Sequence, residues 1–455
     1  MAARDPNAPA QSPSPAETPA SAPTASAPTA SAPTASAPTT TATPPAKSTA
    51  TIAPAMTSKQ RGVLVLLALL QFAVMIDFMI LAPLGALMMP ALRIAPDQFA
   101  LLVSAYALAA GVSGVVAAGF IDRFDRKKLL LFFFGGFLVG TLLCGLATTY
   151  PVLLAARVIA GIFGGVIASL NMAIAADLFP PEQHGRVMGT LQTSFGAAQI
   201  AGLPAGIAIA NHLHHQAPFL VIAGLGVVVF VAVAIAIPPV TAPLTRAAGA
   251  PLANPFAHVI ATARKPVHLR AFATTLMLAA GFMLHPQLSA FFVHNLGVTA
   301  DALPVVYRVA GVCTVVVGPL AGKLADTLGK FPLFALGTAG AALMFVALAA
   351  LSGPTALWVV VAVNAGLFAA NTARAVSAGA LVMSVPAPAE RGAFLSVNTA
   401  LQQMAGGVAA YGGGVLVGGN PDGSLANFNV VAAVIAGVVV VGVVPVAVIA
   451  RATRA

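Results

Sequence analysis

The stretch "GKLADTLGK", residues 322–330, has a counterpart 204 residues earlier in "GFIDRFDRKK", residues 119–128. Asp326 and Asp122 hold matching places in the two, and each stretch lies between long apolar runs. Six of the ten residues in the earlier copy are charged (Asp122, Arg123, Asp125, Arg126, Lys127 and Lys128), in a chain that is only 7% charged overall. A charged knot recurring at the same depth in two halves of an apolar chain marks an internal repeat, and such repeats are common in proteins built inside the bilayer.

Working outward, 59% of the 455 residues are hydrophobic and Asp plus Glu number 12. Soluble domains carry about a quarter of their residues as charges, so a soluble fold is excluded. Apolar runs of ~20 residues span a hydrocarbon layer of roughly 30 Å as helices. Twelve such runs lie near 63–89, 98–120, 129–147, 152–178, 186–210, 217–237, 270–293, 302–325, 332–351, 356–384, 392–417 and 428–450. The fold class expected is an all-α membrane protein with twelve transmembrane helices in two pseudo-symmetric six-helix bundles. Residues 59–238 form the first bundle, 239–268 a cytoplasmic linker and 269–455 the second. Residues 1–58 repeat a five-residue Ala, Ser, Pro and Thr unit without apolar periodicity, which reads as a disordered tail. A translation start at Met56 is the alternative account of that tail.

Basic residues fix the expected orientation. With the N-terminus inside, 18 of the 22 Lys and Arg fall in cytoplasmic segments, Arg93 alone in an outer loop, and Arg157, Arg308 and Arg374 within spans. Positive charge collects on the cytoplasmic side of membrane proteins, so both termini are expected there, in a bacterial inner membrane. The same distribution accounts for the net charge of +10 without nucleic acid, leaving the lipid bilayer as the partner of the basic face. Cys144 and Cys313 sit inside apolar runs and read as packing residues. The imidazoles of "HLHHQ" (212–216) lack a nearby carboxylate or cysteine, and no metal or other cofactor is expected.

Asp at the end of one helix and Arg or Lys at the start of the next can pair or cap helix ends, holding helices together in one conformation and releasing them in another. In this arrangement the chain resembles the major facilitator superfamily. That family's loop reads Gly, three residues, Asp, Arg or Lys, any residue, Gly, and two further basic residues. The second copy matches at Gly322, Asp326, Gly329 and Lys330. The first keeps Asp122, Arg123, Arg126 and Lys127, but has Ala118 for the first glycine and Asp125 for the second. "RVIAGIFGG" (157–165) resembles the family's Arg-containing motif. "GAAQIAGLPAG" (196–206) resembles a relaxed antiporter signature. "MIDFMILAPLG" (75–85) and "RAVSAGAL…ERGAFLSVNTALQQ" (374–403) resemble the drug and sugar-efflux branch. The resemblance covers residues 60–450 and implies a transporter with a cytoplasmic latch formed by the two loops.

Ionisable groups inside the membrane cost a few kcal/mol on insertion scales and need a reason. Asp77 lies roughly 20 Å along the first helix, near the bilayer centre. It is the only acidic residue near the middle of a span. A buried carboxyl can exchange a proton at physiological pH, which makes it a proton-coupling residue, or it is a structural carboxylate. Arg157 can compensate it or bind an anion, and the resemblance implies a part in proton coupling. Asn364, Asn371 and Arg374 share one face of the tenth span. Arg308 and His285 complete a second polar set, with His285 a few residues from the repeat counterpart of Asp77. These five are the expected solute contacts. Gln71, Asn171, Gln192, Gln199, Gln402 and Gln403 are weaker lining residues, and Asp177 and Glu182 flank Arg186 as a helix-end network.

Taken together, these features predict a secondary active transporter, and not an enzyme, exchanging protons for a small outgoing solute by alternating access. A proton-coupled importer is the alternative, and a transporter-like membrane sensor a more distant one. A monomer is expected. The mostly basic ionisable set in the spans leans toward a polar or anionic solute.

Overall fold

Thr57 starts the first helix through a reciprocal cap: its Oγ1 accepts from the Gln60 N–H at 3.2 Å, and Gln60 Oε1 accepts from the Thr57 N–H at 3.0 Å. In this computed structural model the described residues are 56–118, 121, 124–241, 264–387, 390–420 and 423–452. Nearly all of the 1–58 tail, most of the 239–268 linker, and Asp122 and Arg123 of the expected latch lie outside them.

Twelve long helices follow among the described residues. They are α1 (Ser58–Leu92), α2 (Pro96–Ala117), α3 (Arg126–Leu146), α4 (Tyr150–Leu178), α5 (Arg186–His212) and α6 (Ala217–Ala236). The second six are α7 (Pro266–Asn295), α8 (Ala300–Thr327), α9 (Lys330–Ala350), α10 (Leu357–Val382), α11 (Arg391–Leu416) and α12 (Phe428–Val448). Eleven are long and apolar enough to cross a membrane, and α11 is the more polar twelfth. The helices are apolar nearly all round, as lipid-facing helices must be. Four of them break, α12 at Gly442. α1 passes through a 3-10 turn at Ala82–Leu84, where Pro83 sits, and α5 through a π turn at Ala198–Gly202. α7 is the most interrupted, with 3-10 turns at Ala279–Phe282 and His285–Gln287 and a π turn at Phe291–Asn295. Pro286 supplies no N–H, so no regular helical bond can close over the Phe282 carbonyl.

The two repeat loops begin their following helices in different ways. Asp125 caps α3: its Oδ1 accepts from the N–H of Lys127 at 2.8 Å and of Lys128 at 3.2 Å. Gly329 holds the matching place before α9 with φ of +95°, a conformation glycine adopts without steric cost. The altered residue of the first copy therefore replaces a left-handed glycine with a side-chain cap. Nearby, Arg126 pairs with Asp177 of α4 at 2.5 Å and Lys127 Nζ donates to the Ala234 carbonyl of α6 at 2.8 Å. Asp177 thus serves Arg126 of the loop, while Arg186, expected beside it, is exposed.

The first six and last six helices meet along three seams: α2 with α11, α5 with α8, and α1 with α7. These seams are tight at the end of the bundle away from the Lys- and Arg-rich loops. A Cβ on Gly414 of α11 would lie 2.2 Å from Ala100 Cβ of α2, and one on Gly85 of α1 would lie 3.2 Å from the Pro286 carbonyl oxygen of α7. One buried apolar cluster at that end draws on both sets of helices, from Leu81, Leu84 and Phe99 to Leu288, Phe291 and Val306. Toward the basic loops the core divides. Leu67, Phe134 and Leu170 belong to a cluster confined to the first six helices, and Phe272 with Phe394 to another confined to the last six. On α5 and α8 the change is visible along one seam. Gly311 packs on Gln199, yet a side chain at Gly189, Gly318 or Gly322 would meet nothing within 4 Å. The α5–α8 seam is thus packed at one end and open toward the basic loops, while α2 and α11 stay in contact as far as Gly111 and Ala400.

Candidate transport site

Asp77 and Arg157 form an ion pair sealed inside the first six helices. Arg157 Nη1 lies 3.0 Å from Asp77 Oδ2, and their side chains are 1% and 0% exposed. Thr141 of α3 donates to the other carboxylate oxygen at 3.1 Å. The Arg157 guanidinium sits 4.5 Å over the Tyr106 ring of α2. Four helices therefore converge on one carboxylate. The glycines of "RVIAGIFGG" make room for this. A Cβ at Gly161 would lie 2.5 Å from the Tyr106 carbonyl oxygen, and one at Gly164 would lie 2.3 Å from the Tyr106 hydroxyl. In the same way Gly202 and Gly206 of "GAAQIAGLPAG" bring α5 against Ile76 and Ile80, the turns of α1 on either side of Asp77. One turn deeper, Asn171 Nδ2 donates to the Leu67 carbonyl at 3.0 Å and to Gln71 Oε1 at 3.1 Å.

The last six helices carry a different polar set. Arg374 is buried, with Nε 3.3 Å from Thr338 Oγ1 and Nη1 3.0 Å from Asn371 Oδ1. The Phe334 ring lies 5.8 Å from its guanidinium carbon. Asn364 is fully buried two turns above Asn371, and neither of its amide atoms has a hydrogen-bond partner. His285 stands in the break of α7, its ring 5.0 Å from that of Phe282 and 5.3 Å from that of Phe368 on α10. Arg308 is exposed on α8.

At the closed end, polar side chains bridge the two sets of helices. Ser289 Oγ of α7 donates to the Ala82 carbonyl at 3.1 Å and accepts from the Ala86 N–H at 3.3 Å. It thus ties two α1 backbone groups four residues apart, the Ala82 carbonyl also accepting from the Gly85 N–H. His294 Nε2 lies 3.1 Å from the Ala86 carbonyl oxygen, and Asn211 of α5 donates to the Ala300 carbonyl before α8 at 2.8 Å. At the other end Lys330 Nζ donates to Ala380 of α10 at 3.2 Å, within the last six helices, and Asp326 is exposed. The latch residues that are described thus bond inside their own set of helices.

Reading the sequence missed Tyr106, Thr141, Thr338 and Ser289. Tyr106 had a signal, as one of only four tyrosines and placed mid-span. Thr141 and Ser289 are polar interruptions in apolar runs, but threonine and serine commonly bond within their own helix, so the type alone does not distinguish them.

A buried ion pair, broken helices and two interlocking sets of six helices define a multi-pass membrane protein. Residues 67–411 match the Major Facilitator Superfamily, and the chain belongs to that family. It is 25% identical over 262 residues to the uncharacterized MFS-type transporter YceJ of Bacillus subtilis, an alignment covering 57% of this chain and 66% of that one. YbcL, another uncharacterized MFS-type transporter of B. subtilis, is 26% identical over 317 residues, covering 70% of this chain and 78% of the other. Multidrug resistance protein 3 of B. subtilis is 33% identical over 117 residues, which span 26% of this chain and 23% of that protein. The chain thus spans less than two thirds of the length of the first curated relatives it matches. Among solved structures, the fold is shared with the nucleoside transporter NupG (TM-score 0.68, 13% identity, 85% of this chain and 98% of that one). It is shared also with a bacterial homolog of the human lysosomal transporter Spinster in an inward-facing, unoccupied conformation (TM-score 0.64, 16% identity, 88% and 97%). The chain is a multi-pass membrane protein of that family.

Proposed function

We propose that the protein exports a small solute from the cytoplasm in exchange for protons, with residues 59–238 and 269–455 as two bundles that alternate about a central site. The observation that carries this reading is the Asp77–Arg157 pair, a full charge pair sealed at mid-span with one hydroxyl donor on the carboxylate. A proton arriving on Asp77 removes the charge that neutralises Arg157, so the four converging helices no longer favour the same packing. Loss of that pairing is the step through which proton uptake acts on conformation. The solute is held by the polar set on α7, α8 and α10: His285, Asn364, Asn371, Arg374 and Arg308.

Orientation follows the basic loops, which face the cytoplasm together with both termini in a bacterial inner membrane. The open end of the α5–α8 seam is then the cytoplasmic one, and the structure corresponds to the state that loads solute from inside. In this state the basic loops bond within their own bundles. Closure would bring Asp122, Arg123, Arg126 and Lys127 of one loop toward Gly322, Asp326, Gly329 and Lys330 of the other. The glycine-bearing α5 motif and the likeness to multidrug resistance protein 3 support export over uptake. A monomer holds the whole site.

Asp77→Asn is expected to abolish gradient-driven transport in proteoliposomes. Inside-out vesicles under an imposed pH gradient give the direction: solute uptake coupled to proton release supports antiport. Full coupled transport by the Asp77→Asn variant would end the proposal.

A further inference from the structure

Buried charge in the helices is unbalanced. The two buried guanidiniums are Arg157 and Arg374, and Asp77 is the only buried carboxylate at mid-span among the described residues. Asp77 is spent on Arg157. Arg374 has neutral partners alone: the Thr338 hydroxyl, the Asn371 amide oxygen and the Phe334 face. An arginine cannot shed its charge and carries five N–H donors, of which two here reach a side-chain acceptor. An interior cation with only neutral partners is several kcal/mol less favourable than one in water, so the site is built for an anion that the chain itself does not supply.

Gly281 shows where that anion has room. A Cβ at Gly281 would lie 3.4 Å from Arg374 Nη1 and 3.5 Å from Asn371 Oδ1, ordinary contact distances. The 204-residue spacing of Asp122 and Asp326 carries Asp77 onto Gly281 but Arg157 onto Val361, so Arg374 is not the repeat equivalent of Arg157. What the last six helices present beside Arg374 is bare backbone. One turn along the broken α7, His285 lies between the Phe282 and Phe368 rings, an apolar surface a short way from the guanidinium.

We infer that the transported solute is a monocarboxylate with a small apolar body. Its carboxylate sits on Arg374 and Asn371 beside Gly281, and its body rests against His285, Phe282 and Phe368. This inference rests on the proposed solute site of α7 and α10, and names the chemical class that site takes.

The test is thermal unfolding of the purified full chain in detergent. It compares hexanoate, benzoate and phenylacetate with benzylamine and benzyl alcohol. The carboxylates are expected to raise the midpoint in a saturable way, and the amine and the alcohol to leave it unchanged. Arg374→Gln should weaken half-saturation roughly tenfold to a hundredfold, the worth of a charge-assisted hydrogen bond. Gly281→Asp keeps Arg374 and supplies an internal carboxylate where a side chain has room. It should raise the ligand-free midpoint and remove the response to carboxylates. The inference is overturned by an equal response to benzylamine, by no carboxylate response in the unaltered protein, or by a response unchanged in both variants. Binding needs no proton gradient, so Asp77→Asn should retain the carboxylate response. If the carboxylates fail while gradient-driven transport persists, the substrate class falls and the antiport reading stands.

Discussion

Removing either member of the Asp77–Arg157 pair should harm the protein unequally, and restoring neutrality should recover much of the loss. The two side chains meet at 3.0 Å with at most 1% exposure, so neither can be rehydrated when its partner is deleted. Breaking a buried pair from one side costs about 3–5 kcal/mol, because the remaining charge is left uncompensated. Asp77→Asn strands a guanidinium that cannot neutralise itself, and the Tyr106 ring contact is present with or without the carboxylate. It should therefore approach the upper part of that range. Arg157→Gln strands a carboxylate that can take up a proton and keep its bond to Thr141, so it should cost about 2 kcal/mol less. The double variant faces two neutral amides and should be more stable than Asp77→Asn alone. Thermal unfolding of all four proteins, followed by size-exclusion of the tagged chain, gives the cycle. The expected coupling is at least about 2 kcal/mol. Additive losses, with the double variant the least stable, would refute the idea that this pair is a charge-balanced unit.

Other outcomes follow from the two ends of the bundle. Ser289→Ala removes a bridge between α1 and α7, and should raise the population open at that end roughly fivefold, for about 1 kcal/mol of lost hydrogen bonding. Thiol labelling of a cysteine placed on α2 near Phe99 reads this, and unchanged labelling would deny the bridge a role in closure. Asp125→Ala should lower stability by about 1 kcal/mol through loss of the α3 cap, whereas Asp125→Asn keeps most of it. Equal midpoints for both variants would mean that the cap does not hold the loop.

Much of the architecture was readable because hydrophobic runs of bilayer length have few alternative uses. All twelve spans appear, and Asp77 stood out as the mid-span acid that needed a partner. What could not be read was which faces meet. Periodicity places Asn364, Asn371 and Arg374 together on α10, but nothing in one strand of sequence says that Thr338 would face them. Asp177 is a case of the same kind. It lies nine residues from Arg186 in sequence, yet packing of α3 on α4 delivers it to Arg126. The α7 break was not anticipated, because a proline such as Pro286 within a span does not reveal how many turns will loosen around it.

The Ser289 hydroxyl between Ala82 and Ala86 has a consequence for the cost of motion. Opening a protein seam usually leaves buried backbone groups without partners, and each such group weighs against the new state. Here the two groups that Ser289 separates are four residues apart on one helix, so on its withdrawal they can bond to each other. Such an exchange would conserve backbone hydrogen bonds as α7 leaves. The closed end is thereby held by a joint whose release has its own replacement ready, which keeps two conformations close in energy. A protein that alternates between two conformations needs them close in energy, and a joint of this kind suits it.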